Sequence, residues 1–579
     1  MRNYRRLLSY ALPYKWIFIS GIVGMVVVAL SEASFAALLK PIMDGGFVER
    51  DSKVIALTPL LLIGAFLVRG LGSFADQYSI GWIGRRVIYD LRAEMFSKIL
   101  RLPTQYYDAN SSGQLVAKLI YDLEQIAQAT TMALRVLIKD SILIVALLGW
   151  LAFLNWQLTT IFIAVTPIAA LIIQIASKRF RSTSKKIQSS VGQIARASKE
   201  SFESQKLVKA FDSYLHEQAR FRKHNLWNRK ESIRKAAIGA ASVPLLLIIV
   251  GFAVSGIIYI AMTSQSKELV TPGTFASYLA AILMLMAPIK RLAMINELLQ
   301  TGITAATSAF EILDSEVEDR VGSLKEGNIR GSVNFQNVSF RYSKDKPLVL
   351  SEISFSLNPG ETIAFVGTSG SGKTTIGSIL LGFYSSFSGD VLIDGSPIND
   401  YELAFLRKNI AYVPQDTILF DDTIENNVLY GRDKYNERYD TVTKITQIDK
   451  LAKELHNSQS TIGEQGSRLS GGQRQRVSIT RGLYSDAPIL ILDEATSALD
   501  NIAENQIRTA ISSLSKKQSV IIIAHRLSTV VDADRIYVMK DSKIIESGTH
   551  SSLISKNGFY AALYHEQDRI GLSTDSRSE

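Results

Sequence analysis

The sequence predicts a membrane domain of six transmembrane helices fused to an α/β P-loop domain. Three observations carry that prediction. Six apolar stretches of near-spanning length crowd into roughly the first 300 residues. The charge divides along the chain: residues 1–310 hold 35 basic and 18 acidic side chains, residues 311–579 hold 29 and 36. An apolar strand, a glycine-rich loop ending in Lys-Thr and a helical stretch follow one another from Thr362 to Leu381.

Composition removes several classes. With 47% hydrophobic and 20% charged residues, the 579-residue chain is too apolar to be disordered. It has no cysteine, which excludes a disulfide scaffold, thiol catalysis and cysteine-ligated zinc or iron–sulfur sites. The net charge of +10 would suit a nucleic-acid binder. The basic excess, however, lies between the apolar stretches, where the positive-inside rule puts it, so no nucleic-acid partner is expected.

The six stretches run from Trp16 to Leu39, Ile55 to Phe74, Val136 to Phe153, Leu158 to Ala176, Val243 to Met262 and Phe275 to Ile295. A buried helix of a soluble core would account for one of these, not six. The first follows a basic leader (Arg2, Arg5, Arg6, Lys15) as a signal peptide does, but it is long and lacks a small-x-small cleavage site, so it reads as a retained helix. A turn at Asn155-Trp156-Gln157 separates the third and fourth, with Trp156 suited to the interfacial belt. The leader and the connection from Lys178 to Lys235, with 16 basic and 5 acidic residues, belong in the cytoplasm. The connections Lys40 to Lys53 and around Lys267-Glu268 are neutral and face outward. Both termini are then cytoplasmic.

The connections Arg85 to Thr130 and Lys178 to Lys235 keep helical spacing, the second through Ile187, Val191, Ile194 and Phe202, then Leu207, Val208, Phe211 and Leu215. Helices of about 25 residues would project some 35–40 Å as stalks. The first stalk is broken by a turn from Asp108 to Gly113. Between Glu311 and Gly331 the composition turns polar, which bounds a membrane domain at 1–320 and a soluble domain at 331–568. The Ser-rich residues 569–579 read as a disordered tail.

Gly367, Thr368, Ser369, Gly370, Ser371, Gly372, Lys373, Thr374 and Thr375 form the loop and helix start of a P-loop. Glycines let the backbone wrap phosphates, and successive N–H groups and the helix N-terminus point at negative charge. Lys373 is placed for the β- and γ-phosphates of ATP and the Thr374 hydroxyl for Mg2+. Ile489 to Leu492 is a wholly apolar strand, as in a parallel sheet covered on both faces, and it ends in Asp493-Glu494. Asp493 can hold Mg2+ and Glu494 can polarise an attacking water. Two adjacent carboxylates are ordinarily a solvated turn; these terminate a buried strand.

The segment Leu469-Ser470-Gly471-Gly472-Gln473 resembles the signature of ATP-binding-cassette ATPases. The resemblance extends in order to Tyr342 as the aromatic that stacks on adenine, Gln415 as the Q-loop residue that senses Mg2+, Thr461 to Gly466 as the exporter loop, Ser497 to Asp500 as the D-loop and His525 as the switch histidine. It implies a type IV exporter-like fold, catalysis by Glu494 and His525, and Mg2+ held by Thr374, Gln415 and Asp493. It further implies a homodimer, because Ser470, Gly471, Gly472 and Gln473 of one chain cap the ATP on the P-loop of another. The same resemblance puts coupling helices near Ala109 to Gly113 and Ala210 to Tyr214.

For the substrate, the sequence offers Arg69 in the second stretch, Lys139-Asp140 in the third and Lys290-Arg291 in the sixth. An ionisable residue costs about 2.5–3.5 kcal/mol at mid-helix, so such residues are functional candidates. Arg69, Lys139 and Lys290 would suit an anionic headgroup; alternatively, Lys139 pairs in the neighbourhood of Asp140 and the others snorkel to an interface. Leu38 to Phe47 and Ser177 to Arg181 resemble the corresponding stretches of lipid A (lipopolysaccharide core) flippases. That resemblance implies ATP-driven flipping of lipid A core across the inner membrane. The alternatives are a multidrug exporter with a more aromatic cavity and an ATP-gated channel or regulatory membrane ATPase. Thr480 and Gly482 stand where the cassette family often has alanine, a matter of helix packing.

Overall fold

The computed structural model describes residues 2–263, 271–318, 322–432, 437–454, 461–495, 509 and 518–575. The chain forms two compact units, one of residues 1–100 and 112–315, the other of residues 101–111 and 316–579. The short stretch 101–111 thus groups with the second unit.

The first unit is helical. Its elements are α1 (Arg2–Ala11), α2 (Lys15–Pro41) and α3 (Ser52–Leu100); α4 (Thr104–Ala109) belongs to the second unit. There follow α5 (Ser112–Leu154), α6 (Trp156–Glu203), α7 (Gln205–Ala210), α8 (Tyr214–Thr263) and α9 (Pro272–Asp314). Among the described residues, four helical spans are long and apolar enough to cross a membrane, within Ser9–Val48, Ser52–Leu100, Ser112–Leu154 and Pro272–Leu292. The predicted fourth and fifth stretches lie on α6 and α8. The 49 residues of α3 rise about 70 Å, more than twice the ~30 Å hydrocarbon core, so the helix continues well beyond any bilayer it crosses.

Two local devices set the helix ends. Asn155 is extended (φ −160°) and accepts from Leu158 N at 3.0 Å, which caps α6 and makes the turn after α5 abrupt. Asp44, from the Leu38 to Phe47 motif, accepts from Gly273 N at 2.8 Å and from the Thr271 hydroxyl, so a distant carboxylate satisfies the N-terminus of α9. The core beside it packs Leu143, Leu147 and Leu151 of α5 on Tyr278, Ile282 and Leu285 of α9. α6 and α8 lie antiparallel, with Asn228 donating to Ser190 Oγ at 2.8 Å and Arg220 paired to Glu200.

The short helices α4 and α7 precede the positions expected for coupling helices. Pro103, at φ −64°, starts α4 and extended Asn110 ends it; the expected turn from Asp108 to Gly113 narrows to Asn110-Ser111, because Asp108 and Ala109 lie in α4 and Ser112 and Gly113 already belong to α5. Asp212, with φ +47°, closes the corresponding turn after α7. Turn-forming residues mark where these helices stop rather than where they lie.

In the second unit, β1 (Val333–Phe340), β2 (Leu350–Leu357), β4 (Ser388–Ile393) and β5 (Ser396–Pro397) make an antiparallel sheet in the order β2-β1-β4-β5. The larger sheet contains β3 (Thr362–Gly367), β6 (Ile410–Val413), β7 (Ile489–Asp493), β8 (Ser519–Ile523), β9 (Arg535–Lys540) and β10 (Lys543–Gly548), in the order β10-β9-β3-β8-β7-β6. Its helices are α10 (Lys373–Leu380), α11 (Leu403–Lys408), α12 (Ile424–Val428), α13 (Glu437–Ile445), α14 (Ile448–Glu454), α15 (Gly471–Tyr484), α16 (His550–Ser555) and α17 (Phe559–Asp575). The core strands β7 and β8 are almost wholly buried, as their unbroken apolar runs require.

α17 corrects the expected tail: residues 569–575 continue a helix. Gln567 anchors that helix by donating to His525 O at 2.8 Å and accepting from Leu527 N at 2.9 Å. Propagation from an anchored turn adds a hydrogen bond per residue, which polar composition alone does not reveal. Thr480 and Gly482 have packing reasons. The Thr480 hydroxyl donates to Thr446 Oγ1 at 2.8 Å, both residues buried. A Cβ on Gly482 would meet Val413 Cγ2 at 2.5 Å.

Candidate nucleotide site and membrane charge cluster

Strand register brings the site together. Phe365 of β3 and Asp493 of β7 both pair with Ile523 of β8. The residues that follow the three strands, Thr368 onward, Glu494 and His525, therefore emerge along one edge of the sheet, outside its carboxyl ends, where open α/β sheets bind ligands. His525 is exposed there.

The P-loop turns into α10 through Gly372, whose φ of +99° and 2.4 Å approach to Val349 O admit only glycine. Lys373 Nζ donates to Gly367 O at 3.0 Å and Thr368 O at 2.9 Å, folding the ammonium under the loop. Burial lowers its pKa, opposed by the charges of Glu494 and Asp493. Thr374 Oγ1 donates to Asp493 Oδ1 at 3.2 Å, and Tyr412 OH to Asp493 Oδ2 at 3.4 Å. Burial pushes Asp493 up to about 6 despite the Thr374 bond. Gln415 Nε2 donates to Glu494 Oε2 at 2.8 Å. Glu494 sits at φ +47°, a conformation rarely held by a side-chain-bearing residue and common at functional sites.

Tyr342 is half exposed; its hydroxyl shares a 2.9 Å hydrogen bond with Thr375 Oγ1. The signature residues form a different site. Ser470 Oγ accepts from Gln473 N at 3.2 Å, and Gln473 Oε1 accepts from Ser470 N at 2.8 Å, a capping box at the N-terminus of α15. Ser470 and Gly471 are exposed. Among the described residues no hydrogen bond joins Ser470 to Gln473 with the P-loop. Thr461 to Gly466 form a tight turn pinned by Arg468 Nη1 donating to Thr461 O at 3.0 Å. Ser497 to Asp500 lie outside the described residues.

In the membrane unit, Lys139 Nζ and Arg69 Nη2 both reach Glu32 Oε1, at 3.0 and 3.1 Å. Glu32 and Lys139 are largely buried, with side chains 14% and 18% exposed. Asp140, the neighbour of Lys139, pairs instead with Arg291 at 2.7 and 2.8 Å. Both residues lie on a π-turn of α5, Val136–Asp140, a kind of irregularity common at functional sites. Lys290 is exposed and forms no ion pair among the described residues. The structure thus joins Arg69 and Lys139 at one carboxylate and leaves Lys290 apart.

Comparison with known proteins identifies the assembly. Residues 17–289 match the family model "ABC transporter transmembrane region" and residues 350–497 the model "ABC transporter". The chain is 44% identical to the ATP-dependent lipid A-core flippase of Nitrosococcus oceani, over 98% of this chain and 95% of that one. It is 39% identical to ATP-dependent lipid A-core flippase 1 of Colwellia psychrerythraea, over 98% and 96%. The chain belongs to the ABC transporter family. A solved bacterial Atm1-family ABC exporter with ATP bound aligns over 96% of this chain and 98% of that one, with a TM-score of 0.80 and 26% identity.

An ABC transporter binds and hydrolyses ATP, and the residues present fit that ligand. Ser371 Oγ is buried in the P-loop with no hydrogen-bond partner among the described residues, a donor left for phosphate oxygens. Thr374 and Asp493 already adjoin as an oxygen pair of the kind that Mg2+ takes. Sequence reasoning about this transporter missed Glu32. Its signal was legible: it is the one carboxylate in the apolar run from Trp16 to Leu39. It also missed Tyr412 and Tyr384, which read as ordinary aromatic residues until the fold brings them to Asp493 and Tyr342.

Proposed function

We propose that the transporter works as a homodimer that uses ATP to flip lipid A core, a lipopolysaccharide precursor, from the inner to the outer leaflet of the inner membrane, with both termini in the cytoplasm. The observation that carries this reading is the meeting of Arg69 and Lys139 at Glu32 inside apolar helices. Two cations on one carboxylate leave an excess positive charge, and an anionic headgroup supplies the missing partner. The nearly full-length likeness to lipid A-core flippases supports the same substrate.

The chemistry follows from the residues. The P-loop backbone and Lys373 orient the phosphates, and Tyr342 supports the base. Thr374 and Asp493, with Gln415 beside them, would hold Mg2+, which neutralises charge on the transferring phosphoryl group. Glu494 accepts a proton from the attacking water, and His525, on the adjoining strand end, contacts the same phosphate. Ser470 and the amides at the start of α15 supply the opposite wall from the second chain, where the helix N-terminus favours negative charge. ATP favours the closed pair of cassettes and its products do not, so each turnover opens and shuts them.

The test is ATPase activity of the purified transporter in nanodiscs. Lipid A is expected to raise the rate, and Lys139→Ala or Arg69→Ala to blunt that rise. Stimulation by cationic drugs with no response to lipid A would replace this reading by the multidrug one.

A further inference from the structure

The loop from Leu381 to Tyr384, directly after α10, is tied at both ends to segments outside the phosphate site. Arg407 Nε donates to Leu381 O at 3.0 Å, and its guanidinium lies 5.1 Å from the Phe383 ring and forks onto Glu318 at 2.7 and 2.9 Å. Glu318 N in turn donates to Arg101 O at 2.7 Å. At the other end of the loop, Tyr384 OH donates to Asp108 Oδ2 at 2.7 Å. One loop therefore holds the stretch 101–111 near its start and near its end. That stretch continues in sequence into α3 and α5.

The Tyr384 ring packs on Tyr342, and its bearing on the nucleotide rests on the proposed role of Tyr342 as support for the base. It stands edge-on to Tyr342, with centroids 5.1 Å apart and planes at 81°, and lies against Phe340 at 5.3 Å. Such aromatic pairs contribute about 0.5–1.5 kcal/mol beyond area burial and fix ring orientation. A base seated on Tyr342 meets a ring whose tilt Tyr384 sets.

We propose that Tyr384 is a positioning residue that orients the Tyr342 platform and transmits base occupancy to Asp108 of α4. Its ring acts on Tyr342, and its hydroxyl acts on α4 through a hydrogen bond to a carboxylate, stronger than a neutral one. Burial, with Asp108 alongside, raises the Tyr384 pKa above the ordinary tyrosine range, so the hydroxyl remains a donor at any physiological pH. Ordering the platform orders Tyr384, and ordering Tyr384 orders α4. This route begins at the base, whereas cassette closure begins at the phosphates.

The full-length transporter in nanodiscs tests this by hydrogen exchange of the peptide covering residues 101–111. Mg·ADP and Mg·pyrophosphate are compared, each at saturation set by displacement of a fluorescent nucleotide analogue. Mg·ADP is expected to slow exchange by about fivefold, the lower end of ordinary coupling between sites, and pyrophosphate to leave it unchanged. Tyr384→Phe and Asp108→Ala should each remove the ADP effect, while Asp108→Asn, whose amide oxygen still accepts the hydroxyl, should keep it. Equal slowing by both ligands, or an ADP-specific slowing that survives Tyr384→Phe, overturns the proposal. Should Tyr384→Phe fail to fold, the contrast between Asp108→Ala and Asp108→Asn decides alone.

Discussion

Gln415 and Glu494 are joined by a 2.8 Å hydrogen bond, the amide donating to the carboxylate. The two residues follow β6 and β7, neighbours paired through Val413 and Leu492. The carboxylate that would take a proton from water is thus oriented by a residue on the adjoining strand end. Glu494→Gln keeps an acceptor for that hydrogen bond and removes only the base. Turnover is expected to fall by about 10²-fold or more, the usual scale of a lost general base, with nucleotide binding retained. Steady-state ATPase beside equilibrium binding of a fluorescent nucleotide measures both; full turnover in Glu494→Gln would take Glu494 out of that role.

Glu32 holds two cations, so removing it differs from removing either one. Glu32→Gln leaves Lys139 and Arg69 without their counter-ion, a change that costs about 3–5 kcal/mol for buried pairs. Arg69→Ala should cost less, because Arg69 is 41% exposed and water screens it. Thermal unfolding in detergent should follow that order. A phosphorylated anionic lipid should raise the melting temperature of Glu32→Gln by more than that of wild type. An equal rise in both would mean that the headgroup does not reach this pair.

The nucleotide site was largely legible because its residues are local in sequence. Gly367 to Thr375 is one loop and one helix start, and Asp493-Glu494 is one strand end, so short motifs fix their chemistry. The aromatic and charged partners were not legible, because each depends on a contact between distant residues. Asp108 and Tyr384 are 276 positions apart, and Lys139 and Glu32 are 107 apart. The alternative in which Lys139 pairs around Asp140, its neighbour in sequence, gives way to Glu32. Successive helical residues point about 100° apart, and the two side chains here reach different helices. The same limit blurred the helix breaks: the chain turns at Asn110-Ser111 and around Asp212, directly after α4 and α7, and Gly113 already lies inside α5.

Gly482 and Val413 make a packing prediction. α15 crosses β6 so closely that a methyl group on Gly482 would sit 2.5 Å from Val413 Cγ2. Gly482→Ala should destabilise the transporter by about 1–3 kcal/mol, the usual cost of overpacking, although alanine is the better helix former. Val413→Ala in the same chain makes room and should recover part of the loss. Denaturation of the full-length protein checks both; simple additivity of the two changes would show that they do not meet.

The exposed capping box at Ser470 and the P-loop at Lys373 lead to the sharpest test of the two-chain site. Lys373→Ala and Ser470→Ala should each stop turnover as homodimers, since every site then lacks one wall. Pairing one chain of each kind separates the arrangements. If the signature caps the partner's P-loop, one site collects both defects and the other, built from an intact P-loop and an intact signature, keeps hydrolysing. If each chain closes its own site, both sites are defective and the mixed dimer is inactive. Ser470→Asn serves as a control, because asparagine caps a helix as well as serine does, so a loss of turnover there reports lost phosphate contact rather than a frayed α15. Differently tagged chains, purified over two affinity steps and assayed for ATPase, give the answer.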